Sequence, residues 1–415
     1  MPALLYLSLC VIPFVTCLLL SPLMRKPFAA QMDDNGKFVI IDGLRGLAAV
    51  SVIIHHGILM TNLFMHADWR INAGYIADFN ALVPRILTQL GSFGVTIFFM
   101  ITGYLFWTKA LTHGVGETAT FYRRRVYRLL PMYLVAVAGV YLLSSAIGFT
   151  ANMNGGYLLR SLASWLSFGF INGMSLTDGK PGWLILCGVF WTLAVEVKFY
   201  LLFPLLALFA RQRLRGLVVL SAVVLVLLGL HWAQAISALQ YSILFAFVCG
   251  MLTATLHTSP GFKAETAALL SRPGWKYALA AVALGSVGLS FFLFDFAYTG
   301  LSALLIAVFF LITASGNDLF GALRCRSLRF GGIISYSSYL LHGLVLTLSF
   351  HWIYPHWGPF IALSIAFVAV FILSALTFIN VEAPFMQLAH GGPRPRAGRQ
   401  RDAIELSAVS GDQRP

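Results

Sequence analysis

Residues 42–56 read DGLRGLAAVSVIIHH, a stretch apolar enough to enter a membrane that nevertheless carries Arg45 and His56. On a helix of 1.5 Å and 100° per residue, the step between them is a rise of about 16 Å and about three whole turns. Both side chains therefore stand on one stripe, Arg45 near one membrane surface and His56 about halfway across. An ionisable group at that depth costs roughly 3 kcal/mol or more unless it is paired, which makes it a candidate functional residue by default. A neutral histidine bonded to a neighbouring helix is the plainer alternative.

Similar apolar stretches recur on either side, at about 3–22, 87–108, 129–148, 186–209, 216–233, 239–256, 277–294, 299–314, 333–352 and 359–379. Each is near the twenty residues that a bilayer requires, so the chain reads as an all-α, polytopic membrane protein of about eleven spans. Composition agrees: 59% of the 415 residues are hydrophobic and only 10% charged, against about a quarter charged in a soluble domain. The first stretch has no basic lead or small-residue cleavage site and is followed by Arg25 and Lys26, which marks it as a retained span rather than a signal peptide. The expected layout is an extra N-terminal span and loop over 1–40, a membrane domain over 41–388, and a disordered cytosolic tail over 389–415, rich in Pro, Gly and Arg.

The net charge of +13 invites a nucleic-acid reading, but the placement of the positives decides the matter. Clusters at Arg123, Arg124, Arg125 and Arg128, at Arg211, Arg213 and Arg215, and at Arg324, Arg326 and Arg329 fall in alternate loops, whereas the intervening loops keep only Arg70, Arg85, Arg160 and Lys180. This is the positive-inside pattern of a chain with its N-terminus outside and C-terminus inside, and nucleic acid drops out as a partner. The five cysteines show no CxxC or metal-like spacing, so neither a disulfide framework nor a metal site is expected. Two outer loops are long enough to form an entrance: 64–86, with Asp68, Trp69, Tyr75 and Asp78, and 149–185, with an apolar segment suited to the interface and the turn-like DGKPG. Interfacial connectors with an aromatic belt are the alternative.

Further polar groups stand at mid-membrane. In WTLAVEVKFYLLFP, residues 191–204, Glu196 lies about 15 Å in from the outer end, level with His56, and Tyr200 follows one turn on. A carboxylate at the depth of a histidine has the form of a general base with its orienter, provided the two helices touch. Lys198 points away from Glu196 and has no evident partner. In SYSSYLLHG, residues 335–343, Ser335, Tyr339 and His342 share one helix face, as a hydrogen-bonding network between spans or as part of a site. At the inner surface, Arg125 and Arg128 of FYRRRVYRLLPMY are either topology signals or guanidinium forks for the phosphates of a cytosolic cofactor. From Arg45, an arm of about 16 Å would reach His56, and pantetheine is of that order. The stretch GSFGVTIFFMITGYLFW, residues 91–107, offers Gly91, Gly94 and Gly103 for close helix approach.

Taken in order, DGLRGLAAVSVIIHH, FFMITGYL, FYRRRVYRLLP, WTLAVEVKFYLLFP, ISYSSYLLH and the closing VEAPF resemble acyltransferase family 3, the membrane O-acyltransferases. The resemblance implies a ten-span core and transfer of an acyl group, usually acetyl from acetyl-CoA, to a hydroxyl of a glycan or small molecule. It places the family's essential Arg and His on Arg45 and His56, its paired arginines on Arg125 and Arg128, and its span carboxylate on Glu196. The chain departs from the pattern at Thr102, at Val197 and Lys198, where relatives carry a second acid and Gln, and in its additional first span. No soluble esterase-like domain follows, which leaves transfer to the membrane domain or a separate partner. The expectation is a bacterial inner-membrane enzyme with acyl-CoA docked on Arg45, Arg125 and Arg128, catalysis at His56 oriented by Glu196, and a supporting network of Tyr200, Ser335, Tyr339 and His342. A proton-coupled secondary transporter would also suit His and Glu at mid-membrane, although the halves show no internal repeat; a non-catalytic subunit of a glycan-export complex is a further alternative.

Overall fold

The structure, a computed structural model, describes residues 3–23, 28, 32, 38–71, 82–114, 118–148, 154–168, 170 and 182–389. Tyr75, Asp78, most of DGKPG and the tail from Gly391 lie outside the described residues. Among the described residues there is no strand. Each of the apolar stretches contains a helix: α1 (Ala3–Leu23), α2 (Val39–His66), α3 (Leu82–His113), α4 (Thr118–Ala146), then the short α5 (Gly155–Leu166) and α6 (Phe190–Ala207). They continue with α7 (Arg213–Trp232), α8 (Ala238–His257), the short α9 (Pro260–Leu270), α10 (Pro273–Leu293) and α11 (Gly300–Ala314). The last part is α12 (Arg326–Ile333), α13 (Ser335–Trp352), α14 (Tyr354–Thr377), a π-turn and α15 (Ala383–Leu388).

Among the described residues, eight helices are long and apolar enough to cross a membrane. α12 and α13 form a further span only as a pair bent by 79°, and Leu9–Pro22 and Gly300–Ala314 are apolar but shorter. α5, the segment expected at an interface, is capped by Asn154, whose side chain accepts from the Tyr157 N–H. α8 opens on a capping box, Ser237 with Gln240, which satisfies two of the amide donors a helix start leaves free.

α2 is the centre of the molecule. One apolar cluster, built on α3, α4, α6, α8 and α11, takes Leu44, Ala48 and Val52. A second, on α1, α13 and α14, takes Val50, Ile53, Ile54 and Ile58. A helix that is apolar all round belongs inside a bundle, whereas only 17% of the best apolar window of α7 and of α10 is buried.

Small residues set the closest contacts. A Cβ on Gly43 or Gly46 would land on the Leu323 or Leu328 carbonyl oxygen, and one on Gly332 on that of Asp42, so α12 and the turn before it cross the first turns of α2 backbone to backbone. Gly103 and Gly250 bring α3 and α8 together in the same way, against the backbone of Phe247 and Met100. Gly46→Ala should therefore destabilise the protein: overpacking of this kind costs about 1–3 kcal/mol and outweighs the gain of about 1 kcal/mol in helix propensity. Gly285→Ala on α10, where a Cβ meets nothing within 4 Å, serves as the control. Thermal unfolding of the detergent-purified variants, followed by tryptophan fluorescence, should show the first midpoint fall and the second hold or rise.

Outside the spans, Asp318 bonds Lys276 Nζ at 3.0 Å and Arg324 Nε at 3.2 Å, tying the loop after α11 to the start of α10. Burial alone would raise its carboxyl pKa, but the Lys276 hydrogen bond, the Gly321 amide and the two cations hold it below the ordinary carboxylate value.

Candidate active site

The stripe expected on α2 is present. Asp42, in the first turn, accepts from Arg45 Nη1 at 3.2 Å. Beyond this pair the Arg45 guanidinium borders a small cavity of about 100 Å³, shared with Arg128, Glu196, Ser335, Tyr336 and Tyr339. Four helices thus bring residues singled out from four separate sequence stretches to one place.

The two paired arginines do different things. Arg128 faces the cavity, while Arg125 lies with its guanidinium carbon 4.8 Å from the centre of Phe106 and 5.8 Å from that of Tyr200. Tyr200 donates its hydroxyl hydrogen bond to Glu196. Arg125, Tyr200 and Glu196 therefore form a line from cation through phenol to carboxylate, alongside the cavity wall. On α13, Tyr336 Oη donates to the Leu129 carbonyl at 2.7 Å, and Tyr339 Oη meets Thr192 Oγ1 at 2.6 Å.

His56 pairs with a histidine, not with Glu196. Its Nδ1 lies 2.9 Å from His342 Nε2, and the two rings stack with centroids 5.0 Å apart. His342 Nδ1 lies 3.1 Å from the Ser338 carbonyl oxygen, which can only accept, so for neutral rings the proton is on His342 Nδ1. His342 Nε2 then accepts, His56 Nδ1 donates, and the lone pair of His56 is on Nε2. Glu196, expected beside His56, instead meets Tyr200, and the side chain beside His56 is that of His342. Matching depth was a poor guide to contact, because α13 packs on α2 whereas α6 packs on α3.

His56 also lines a second cavity of about 1300 Å³ that runs past Trp69, Trp183 and Trp191 and along α6, α7 and α8. His55, beside it, has its Nδ1 2.9 Å from the Leu87 carbonyl and its ring against Gly91. Tyr339 borders the small cavity, and its ring centre is 5.9 Å from that of His342.

The sequence profile of the family's acyltransferase domain matches residues 38–379 of this chain. The chain belongs to acyltransferase family 3. Among members of this family and related proteins, it is 28% identical over 386 residues to a protein of Komagataeibacter xylinus that carries the name membrane-bound transacylase BcsY, covering 89% of this chain and 88% of that one. It is 29% identical over 170 residues to acyltransferase MdmB of Streptomyces mycarofaciens, 40% of this chain and 38% of the relative. With O-acetyltransferase OatA of Staphylococcus aureus it shares 24% over 187 residues, 42% of this chain and 25% of that longer protein. No solved structure gives a significant match. The protein is therefore an acyltransferase, built as a multi-pass helical membrane protein.

Within this acyltransferase, sequence reading assigned no role to several residues of the site. Glu382, in the closing VEAPF, is 1% exposed and accepts from Ser337 Oγ at 2.9 Å. An acid at the end of a long apolar run was the available signal. Tyr336 and Thr192 are ordinary residues for a membrane helix, and only their positions in space make them part of the cavity wall.

Proposed function

We propose that this acyltransferase moves an acyl group, acetyl in the simplest case, from acyl-CoA to a hydroxyl of a glycan on the outer side of a bacterial inner membrane. The observation that carries the proposal is the ordered chain from the Ser338 carbonyl through His342 to His56, which leaves one unprotonated ring nitrogen on the wall of a large cavity.

Arg45 and Arg128 receive the phosphorylated end of the donor, and the acyl arm passes Tyr339 towards His56. The acceptor hydroxyl gives its proton to His56 Nε2 as its oxygen bonds to the thioester carbonyl carbon. The tetrahedral adduct collapses, the carbon–sulfur bond breaks, and the departing thiolate takes the proton back from the imidazolium as free CoA. His342 supports the charge that appears on His56 by accepting its Nδ1–H throughout. In a covalent version of the same sequence, Nε2 itself bonds to the thioester carbon and the carbon–sulfur bond breaks to release the CoA thiolate; the acceptor oxygen then takes the acyl group as the carbon–Nε2 bond breaks, and its proton goes to the thiolate.

Purified protein mixed with labelled acetyl-CoA and an acceptor should release CoA thiol in step with acceptor labelling. Solute transport without CoA release from any acceptor would sink the proposal in favour of a transporter. Arg128→Ala should raise the donor KM about tenfold to a hundredfold, the worth of one or two charge-assisted hydrogen bonds, with a smaller change in kcat. The measurement is initial rate against acetyl-CoA concentration; a fall in kcat alone would move Arg128 from donor binding to the chemical step.

A further inference from the structure

The large cavity has an unusual wall for a sugar site. Leu202, Leu205, Leu239 and Leu244 line it and are also 58%, 62%, 37% and 38% exposed, so it opens onto the apolar surface that faces lipid. It is a cleft between helices: α6 packs on α3, and α7 on α8. Its volume of about 1300 Å³ exceeds the ~300–1,000 Å³ of an ordinary small-molecule site. An acetyl group fills little of it, and a free oligosaccharide finds few hydrogen-bond partners on leucine and phenylalanine.

Among the described residues, Lys198 is the only formally charged side chain on this wall. Its ammonium lies 5.4 Å from the centre of the Phe170 ring, and no described carboxylate is within ion-pair distance. A lysine on an apolar membrane wall is costly unless an anion meets it. A long acyl chain on the donor does not supply one, since a thioester is neutral and the donor's phosphates belong at Arg45. A lipid phosphate supplies both the anion and the chain.

We propose that the acceptor is a lipid phosphate carrying the glycan, with its chain in the cleft between α6, α7 and α8, its phosphate on Lys198 and its hydroxyl at His56. This rests on the acyl-transfer reading above. Lys198 and His56 line one continuous space, so a single amphiphile can touch both, and delivery from the bilayer explains why the cleft opens sideways.

Detergent-purified protein is mixed with a polyprenyl phosphate, the neutral polyprenol of the same chain length, phosphatidylglycerol or phosphatidylcholine, and retained lipid is read by native mass spectrometry. The polyprenyl phosphate should bind about tenfold more tightly than the polyprenol, as expected for one charge-assisted contact. Lys198→Gln should abolish that difference and Lys198→Arg should keep it. Val223→Trp, which fills the cleft, should weaken binding of both. Equal retention of phosphatidylglycerol and polyprenyl phosphate, or unchanged binding in Lys198→Gln, overturns the proposal and makes the cleft a general lipid seat. Labelling of a soluble oligosaccharide at the rate of the lipid-linked one also overturns it, while leaving acyl transfer intact. Specific retention of the lipid phosphate without CoA release strikes instead at the transfer reading.

Discussion

His56→Ala should lower acyl transfer by about 10²–10⁴-fold, the usual worth of a positioned general base, with no comparable loss of fold. The side chain is partly exposed to the large cavity, so its removal enlarges a space that already exists rather than opening a hole in packed apolar core. Donor binding should persist, because Arg45 and Arg128 border a different cavity. Acetyl-CoA turnover and donor binding measured on the same preparation separate these effects. Near-normal turnover with bound donor would remove His56 from the chemistry. Rapid quenching of the wild type with labelled acetyl-CoA distinguishes its two possible roles: protein-bound label before acceptor is added requires the covalent version, and its absence requires direct transfer.

The second large effect is expected at His342. It touches neither cavity wall as a lining residue, yet it decides where the proton of His56 resides. His342→Ala leaves His56 Nδ1–H without its acceptor and the imidazolium without its support, and a loss of about 10²-fold or more in kcat should follow, as when the partner of a catalytic histidine is disturbed. His342→Gln provides a test that a merely structural role would fail. Its amide oxygen can accept from His56 while its NH₂ faces the Ser338 carbonyl, so it should recover much of the lost kcat without changing the donor KM. If Ala and Gln variants are equally impaired and both are thermally destabilised, His342 is a packing residue.

Much of the architecture could be read from hydropathy, because a membrane helix must satisfy its own backbone and therefore announces itself as an uninterrupted apolar run. The glycines at 91, 94 and 103 were legible for a related reason, since close helix approach needs small residues. The bend between α12 and α13 was not. It falls at Ile334 inside an apolar stretch, beside Gly332, which lies against the backbone of Asp42 far away in sequence. In the site, Arg45 and His56 could be placed on one stripe because both belong to one helix. Glu196, His342 and Glu382 belong to others, where sequence gives depth but neither rotation nor neighbours. Hence the sequence gives the depth of Glu196 and sets Tyr200 one turn from it in the supporting network, but it points to the wrong span for the partner of His56.

Because Arg45 and His56 ride on a single unbroken helix clamped at its first turns by α12, their separation works as a fixed gauge. An insertion or deletion between them would be felt twice, as about 1.5 Å of length and as 100° of phase. On the proposed donor path, a donor with a shorter or longer arm would require a change in the residue count of α2 rather than in its side chains.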